Sequence, residues 1–150
     1  LFKWVHDFDG TNLRMTEIQA AVGIEQLKKL PNMVKRRFYN LKTLRKKINN
    51  EKIFVPNYPK NIIHAGYRFY FFVKEKKNRN KLVEYLNKNR IDANQGSCPE
   101  IYKENRFKKI KKYKILKNAN FVGQSVISIP SHHLLSNKNI SYIAKIINKF

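Results

Sequence analysis

The sequence predicts an α/β domain of the α+β kind, in which a long leading helix is followed by a small sheet with helices packed on it. Three observations carry that expectation. Apolar residues recur at helical spacing through residues 16–48, two short β-branched and aromatic runs occupy 67–73 and 126–129, and the last fifteen residues again repeat at three- and four-residue steps.

Residues 1–15 read as a leading loop, because Asp9-Gly10-Thr11-Asn12 carries strong turn chemistry. Thr16-Glu17-Ile18-Gln19 then fits a capping box, the Thr hydroxyl accepting from the Gln19 N–H while the Gln side chain reaches back. Ile18, Val22 and the Leu27/Leu30 pair form a stripe expected to be buried. Pro31 lacks an N–H and biases Leu30 away from helical angles, which predicts a kink or short break. Beyond it, Val34, Phe38, Leu41, Leu44 and Ile48 form a second stripe, with Lys35, Arg36, Lys42, Arg45 and Lys46 on a solvated face.

Pro56 and Pro59 bracket an extended connection, and 67–73 is an aromatic strand in which Tyr67 and Tyr70 are expected in the core. Residues 79–90 form a helix facing Leu82, Val83 and Leu86 inward. Residues 91–93 read as a short strand, 94–99 as a loop, and the polar stretch to Lys112 as a short helix and turns, with a helical turn near 113–117. A second strand over 126–129 is ended by Pro130. Ser136 then caps a final helix carrying Ile140, Ile143, Ile147 and Phe150.

A chain of 150 residues can bury about 70% of the surface its unfolded form exposes, and 42% hydrophobic content supplies the material. No apolar run approaches the roughly 18 residues of a membrane span, so no membrane partner is expected. The opening Leu1-Phe2-Lys3-Trp4 lacks both an initiator Met and the zones of a secretory signal, which leads to the expectation of a truncated chain. The single cysteine, Cys98, excludes an internal disulfide and a multi-Cys zinc site and is compatible with a cytoplasmic location.

The 32 Lys and Arg against 10 Asp and Glu give a formal charge of +22. They are spread along the chain and accompany abundant Asn, Ile, Phe and Tyr, the residue set that an A/T-rich coding sequence favours. Such a charge guarantees salt-sensitive attraction to phosphates, so a basic nucleic-acid-binding domain is one alternative reading, but no specific nucleic-acid partner is expected. Self-contained catalytic chemistry is sparse. Asp7 and Asp9 lie two apart in a turn, His132 and His133 are adjacent on an extended segment where successive side chains diverge, and Cys98 has no evident base. Neither phosphate-loop glycine pattern occurs.

The run Gly10-Thr11-Asn12-Leu13-Arg14-Met15-Thr16-Glu17-Ile18-Gln19-Ala20-Ala21-Val22-Gly23, followed by Gln26-Leu27-Lys28-Lys29-Leu30, resembles the DegT/DnrJ/StrS family of pyridoxal-phosphate-dependent sugar aminotransferases. His64-Ala65-Gly66-Tyr67-Arg68-Phe69-Tyr70 resembles the family's aromatic strand, and Gly96-Ser97-Cys98-Pro99-Glu100-Ile101-Tyr102 a loop of its nucleotide-sugar branch. Ile129-Pro130-Ser131-His132 resembles its Leu-Pro-x-His ending. The blocks keep the family's order and cover essentially the whole chain.

The resemblance implies the C-terminal part of an aspartate-aminotransferase-like (fold type I) enzyme. Residues 1–50 would lead from the large domain into a small domain at 51–150, and the large cofactor-binding domain would be absent. It implies pyridoxal 5'-phosphate as cofactor, a nucleotide-linked keto sugar and an amino donor such as glutamate as partners, and a homodimer whose sites draw on both subunits. No lysine here sits in the family's cofactor motif, so no catalytic residue is assigned and the Schiff-base lysine is expected outside this chain.

Carried over by position, Asn12 and Arg14 would bind the cofactor, the amide and the planar fork both suiting phosphate oxygens. His132, Ser97 and Tyr102 would face the substrate. Gly66 departs from an aromatic common at its position, and Ser131-His132-His133 replaces apolar-His-Pro. Two further readings accompany these: a sugar dehydratase of the same family, in which histidine replaces the lysine, and a non-catalytic remnant.

Overall fold

Helix α1, Glu17–Lys47, starts where its cap predicts: the Thr16 N–H donates to Gln19 Oε1 at 3.0 Å and the Gln19 N–H donates to Thr16 Oγ1 at 3.3 Å. The computed structural model describes residues 13–59, 61–96, 99–104, 107 and 115–150. The expectations for Asn12, the Asp7/Asp9 pair, Ser97, Cys98 and the segment 108–114 lie outside the described residues.

The break expected at Pro31 does not occur, since α1 carries the proline inside a continuous helix of 31 residues. Pro31 forfeits the bond its N–H would give to the Leu27 carbonyl, a cost of about 3 kcal/mol. The strong helix formers on either side, Lys28, Lys29 and Leu30 before it and Met33 and Lys35 after it, sustain the ladder across the gap. The chain nonetheless divides at this residue into two compact units, Leu1–Pro31 and Asn32–Phe150.

In the first unit the stripe expected to be buried is exposed, at 78% for Ile18, 57% for Val22 and 65% for Leu27. Its described part is one helix and its cap, which offers no second layer for the stripe to pack against.

The second unit holds the core. Leu41 and Leu44 of α1 are buried, with Phe38 and Ile48 packed at their edge, as the second stripe predicts. Strand β1, Ile53–Phe54, pairs antiparallel with β2, Arg68–Val73, which pairs antiparallel with β3, Val126–Pro130, in the order β1-β2-β3. Alternation along β2 buries Phe69, Phe71 and Val73. The register sets Phe69 opposite Ile129 and Phe71 opposite Ile127, so these side chains share one face. Leu82 and Leu86 of α2, Asn78–Lys88, and Ile140, Ile143 and Ile147 of α4, Asn137–Lys149, belong to the same cluster. On the other face, Phe72 stacks on Phe121 of α3, Lys117–Ser125, at 6.2 Å.

Helix α4 begins at the expected Ser136, whose Oγ accepts from the Asn139 N–H at 3.1 Å while the Asn139 side chain accepts from the Ser136 N–H. Arg36, expected on a solvated face, instead donates to the Leu135 carbonyl at 2.7 Å and to Asn137 Oδ1 at 2.9 Å, tying α1 to the start of α4. Two further expectations are corrected. Residues 91–93 form no strand, although Ile91 and Ala93 are buried; a single bridge joins Asn94 to Ser128 instead. Tyr67 lies one residue before β2 and is 72% exposed, outside the core. The short helix expected in the polar stretch is present among the described residues as the 3-10 helix Ile101–Lys103.

Phe71 is fully buried between helices and sheet, so Phe71→Ala should lower the free energy of unfolding by about 3–5 kcal/mol. Phe54→Ala, at a position 52% exposed, should cost far less; chemical denaturation of both variants checks the contrast.

Candidate functional site

The β2–β3 register that builds the core also builds a cleft at one end of the sheet. Arg68, the first residue of β2, stands opposite Pro130, the last of β3. Beyond Pro130 the chain is held by α1: Asn40, fully buried, donates through Nδ2 to the Ser131 carbonyl at 3.3 Å and the His132 carbonyl at 2.9 Å. Ser131 Oγ donates to the Gly66 carbonyl at 2.9 Å. The resulting cleft, about 300 Å³, is lined by Arg37, Tyr67, Arg68, Asp92, Ser131 and His132 among others.

Gly66 makes this closeness possible. Its φ is +67°, and a Cβ there would lie 2.8 Å from Arg37 Cβ and 3.0 Å from the Arg37 carbonyl carbon. Neither the backbone conformation nor the approach to α1 suits any side chain larger than hydrogen here.

The cleft is electropositive. Arg68 donates from Nη2 to the Asp92 carbonyl at 3.1 Å and to its carboxylate at 3.2 Å. Its Nε, and the Nε of Arg37, are buried without a hydrogen-bond partner. His132 is exposed in the lining. Such a set can hold an oxyanion but contains no evident nucleophile. A second cavity, about 250 Å³ and lined by Phe38, Leu41, Lys42, Arg45 and Tyr58 among others, contains none of the predicted site residues.

Tyr102 lines neither cavity and belongs to a separate cluster around Glu100. The Glu100 carboxylate accepts from the Tyr102 hydroxyl, from Lys103 Nζ at 2.8 Å and from Asn120 Nδ2 at 3.1 Å. Hydrogen bonds from Lys103 and Tyr102 outweigh burial and hold its pKa down at about 2. Donation to Glu100, reinforced by burial, pushes the Tyr102 phenol up, so it stays a neutral donor. A Cβ on Gly123 would come 2.9 Å from Glu100 Oε2, so the glycine in α3 admits the carboxylate.

Of the predicted site residues, then, the structure places His132 in the cleft, Tyr102 against Glu100, and Arg14 exposed two residues ahead of the Thr16 cap; Asn12 and Ser97 lie outside the described residues. Arg37, Arg68 and Asn40 escaped the sequence reading. The available signal was Arg68 itself, a charge at the head of an aromatic strand.

Because the Glu100 pKa falls from 4.5 to about 2 on folding, its contribution to stability is present above the ordinary carboxylate range and is lost as pH drops toward about 2. Glu100→Gln should flatten that part of the acid-unfolding profile, which circular dichroism across an acid titration measures.

Family-level comparison accords with this architecture. The model of the DegT/DnrJ/EryC1/StrS aminotransferase family matches residues 2–148. GDP-perosamine synthase of Escherichia coli O157:H7 is 28% identical over 145 residues, covering 97% of this chain and 39% of that protein. Among solved structures, Helicobacter pylori PseC, an aminotransferase involved in the biosynthesis of pseudoaminic acid, superposes with a TM-score of 0.84 at 25% identity, over 99% of this chain and 40% of PseC. An aminotransferase from Psychrobacter cryohalolentis gives 0.79 at 25% identity, over 99% of this chain and 42% of that one. The chain thus spans well under half the length of these relatives. Aminotransferases of the family depend on pyridoxal phosphate, and the solved relatives include a PLP-form. With the family model matched from residue 2 to residue 148, the chain belongs to the DegT/DnrJ/EryC1/StrS aminotransferase family.

Proposed function

We propose that this chain is the C-terminal segment of a pyridoxal-phosphate-dependent nucleotide-sugar aminotransferase, working as a cytoplasmic homodimer in polysaccharide or deoxyamino-sugar biosynthesis. The enzyme moves an amino group from a donor such as glutamate to a nucleotide-linked keto sugar. One observation carries the reading: the likeness to an aminotransferase runs through 99% of this chain yet occupies only 40% of the other. In this reading residues 1–50 lead out of a large cofactor-binding domain and 51–150 form the small domain.

The cofactor supplies the electron sink when bound. This chain's residues bind and orient. Arg14 is exposed, and its planar fork fits a phosphate ester; Asn12 adds a neutral amide donor. His132 meets the substrate from the cleft, and Ser97 and Tyr102 shape the sugar site. The Schiff-base lysine belongs to the other segment, consistent with every described lysine being exposed, whereas a cofactor-linked amine needs an enclosed pocket. The exposed Ile18, Val22 and Leu27 stripe supports the same reading, because a contiguous apolar helix face is a surface that further protein covers.

The purified 150-residue chain, mixed with pyridoxal phosphate and dialysed, should retain no cofactor absorbance, whereas a polypeptide extended through the upstream coding sequence should retain it and consume glutamate. In the extended protein Asn12→Ala should weaken cofactor retention roughly tenfold, the loss of one charge-assisted hydrogen bond. Stable cofactor absorbance on the short chain would overturn the placement of the lysine.

A further inference from the structure

We infer that the cavity between α1 and the connection following β1 binds a small amphipathic carboxylate, whose charged end is held by Lys42, Arg45 and Tyr58. The cavity lies within the unit Asn32–Phe150 and shares no lining residue with the β2–β3 cleft, so the inference stands apart from the aminotransferase reading.

Size and walls set the body of the ligand. Phe38 and Leu41 come from α1, Pro59 and Ile62 from the connection, and no acidic side chain lines the space. A volume of about 250 Å³ falls just under the roughly 300–1,000 Å³ of drug-sized sites, so a single ring or a short branched chain fills it.

The polar groups at the cavity are donors. Arg45 uses Nη1 on the Pro56 carbonyl at 2.9 Å. Its other nitrogens meet no acceptor among the described residues, and unlike the Nε atoms of Arg37 and Arg68 they keep accessible surface. The half-buried Tyr58 hydroxyl likewise meets no acceptor among the described residues and stays accessible. Burial pushes its pKa up against the pull of Arg45, so the phenol remains protonated and able to donate. Lys42 Nζ lies 4.3 Å from the centroid of the Phe38 ring, which sets an ammonium against the apolar wall. Two cations and a phenol with no carboxylate among them select an anion, and a carboxylate has lone pairs enough to accept from all three.

These donors are positioned in advance. The Arg45 bond to Pro56 ties α1 to the connection, and the Tyr58 ring lies 4.7 Å from that of His64, whose Nδ1 accepts from the Gly66 N–H at 2.9 Å. Such preorganisation lowers the ordering cost of binding. Lys46 and Lys47, exposed on the same helix, lie outside this lining.

Titration of phenylacetate into the isotope-labelled 150-residue chain, followed by amide chemical shifts, tests the site. Saturable binding in the millimolar range is expected, as suits so small a ligand, with the largest shifts at residues 38–45 and 58–62. Phenylacetamide, which keeps the shape without the charge, should bind about tenfold more weakly, and acetate, which keeps the charge without the ring, at least as weakly. Equal affinity for the amide would overturn the anion assignment. Equal affinity for acetate would overturn the apolar body and leave diffuse attraction to a basic surface.

Arg45→Gln should weaken phenylacetate about tenfold. Because that variant also releases the Pro56 carbonyl, Tyr58→Phe is the cleaner probe: it keeps the ring, breaks no hydrogen bond in the folded chain, and should weaken binding several-fold. Ile62→Trp, at a position 49% exposed, should fill the space and abolish binding while the thermal midpoint holds. Lys46→Gln should leave binding unchanged. Full affinity in Tyr58→Phe or in Ile62→Trp, or an equal loss in Lys46→Gln, would overturn the site.

Discussion

The antiparallel register between β2 and β3 is the constraint on which the rest depends. Setting Arg68 opposite Pro130 turns Phe69, Phe71 and Val73 toward the helices and leaves Arg68 at the mouth of the cleft. A slip of one residue would reverse both, exposing three apolar side chains and burying a guanidinium in the core. Hydrophobic burial therefore enforces the position of a charged group that takes no part in the core. The same logic extends to Ser131 and His132, which fall beside α1 because β3 ends where it does.

Local patterns made a large part of this fold legible. Both helix caps, at Thr16 and Ser136, were readable because each bond spans three residues. Strands β2 and β3 announced themselves by composition, and Leu82, Leu86 and the isoleucines of α4 by period. The failures came where nonlocal context prevailed. The Ile18 stripe has correct helical spacing, but spacing reports amphipathicity and not the presence of a partner. Two-residue β1 exists only through its pairing with β2, and α3 begins without a side-chain cap and contains Gly123 and two asparagines, so nothing local marked it.

For the site, the family resemblance named Arg14 and His132 as candidates, but not what His132 would stand beside. Arg37 and Arg68 are separated by a connection through β1 and two prolines, and only the folded chain brings them to one cleft. Arg37 also sat in a run of basic residues indistinguishable by composition from solvated surface. The difference between Lys and Arg carried more information than the total of +22. The described lysines are exposed, whereas Arg36, Arg37, Arg45 and Arg68 are each partly buried, and Arg36, Arg45 and Arg68 donate to backbone carbonyls.

Gly66 links this chain's sequence to its geometry. With the Arg37 backbone pressed against it, the missing side chain sets how near the long helix can lie to the strand segment. A relative that bears a ring at this position must hold the two elements a side chain's thickness apart, and its guanidinium, if retained, would start from a different distance. The identity of residue 66 and the width of the adjoining groove should therefore vary together across the family, so that a single codon change without a compensating shift of the helix would be selected against.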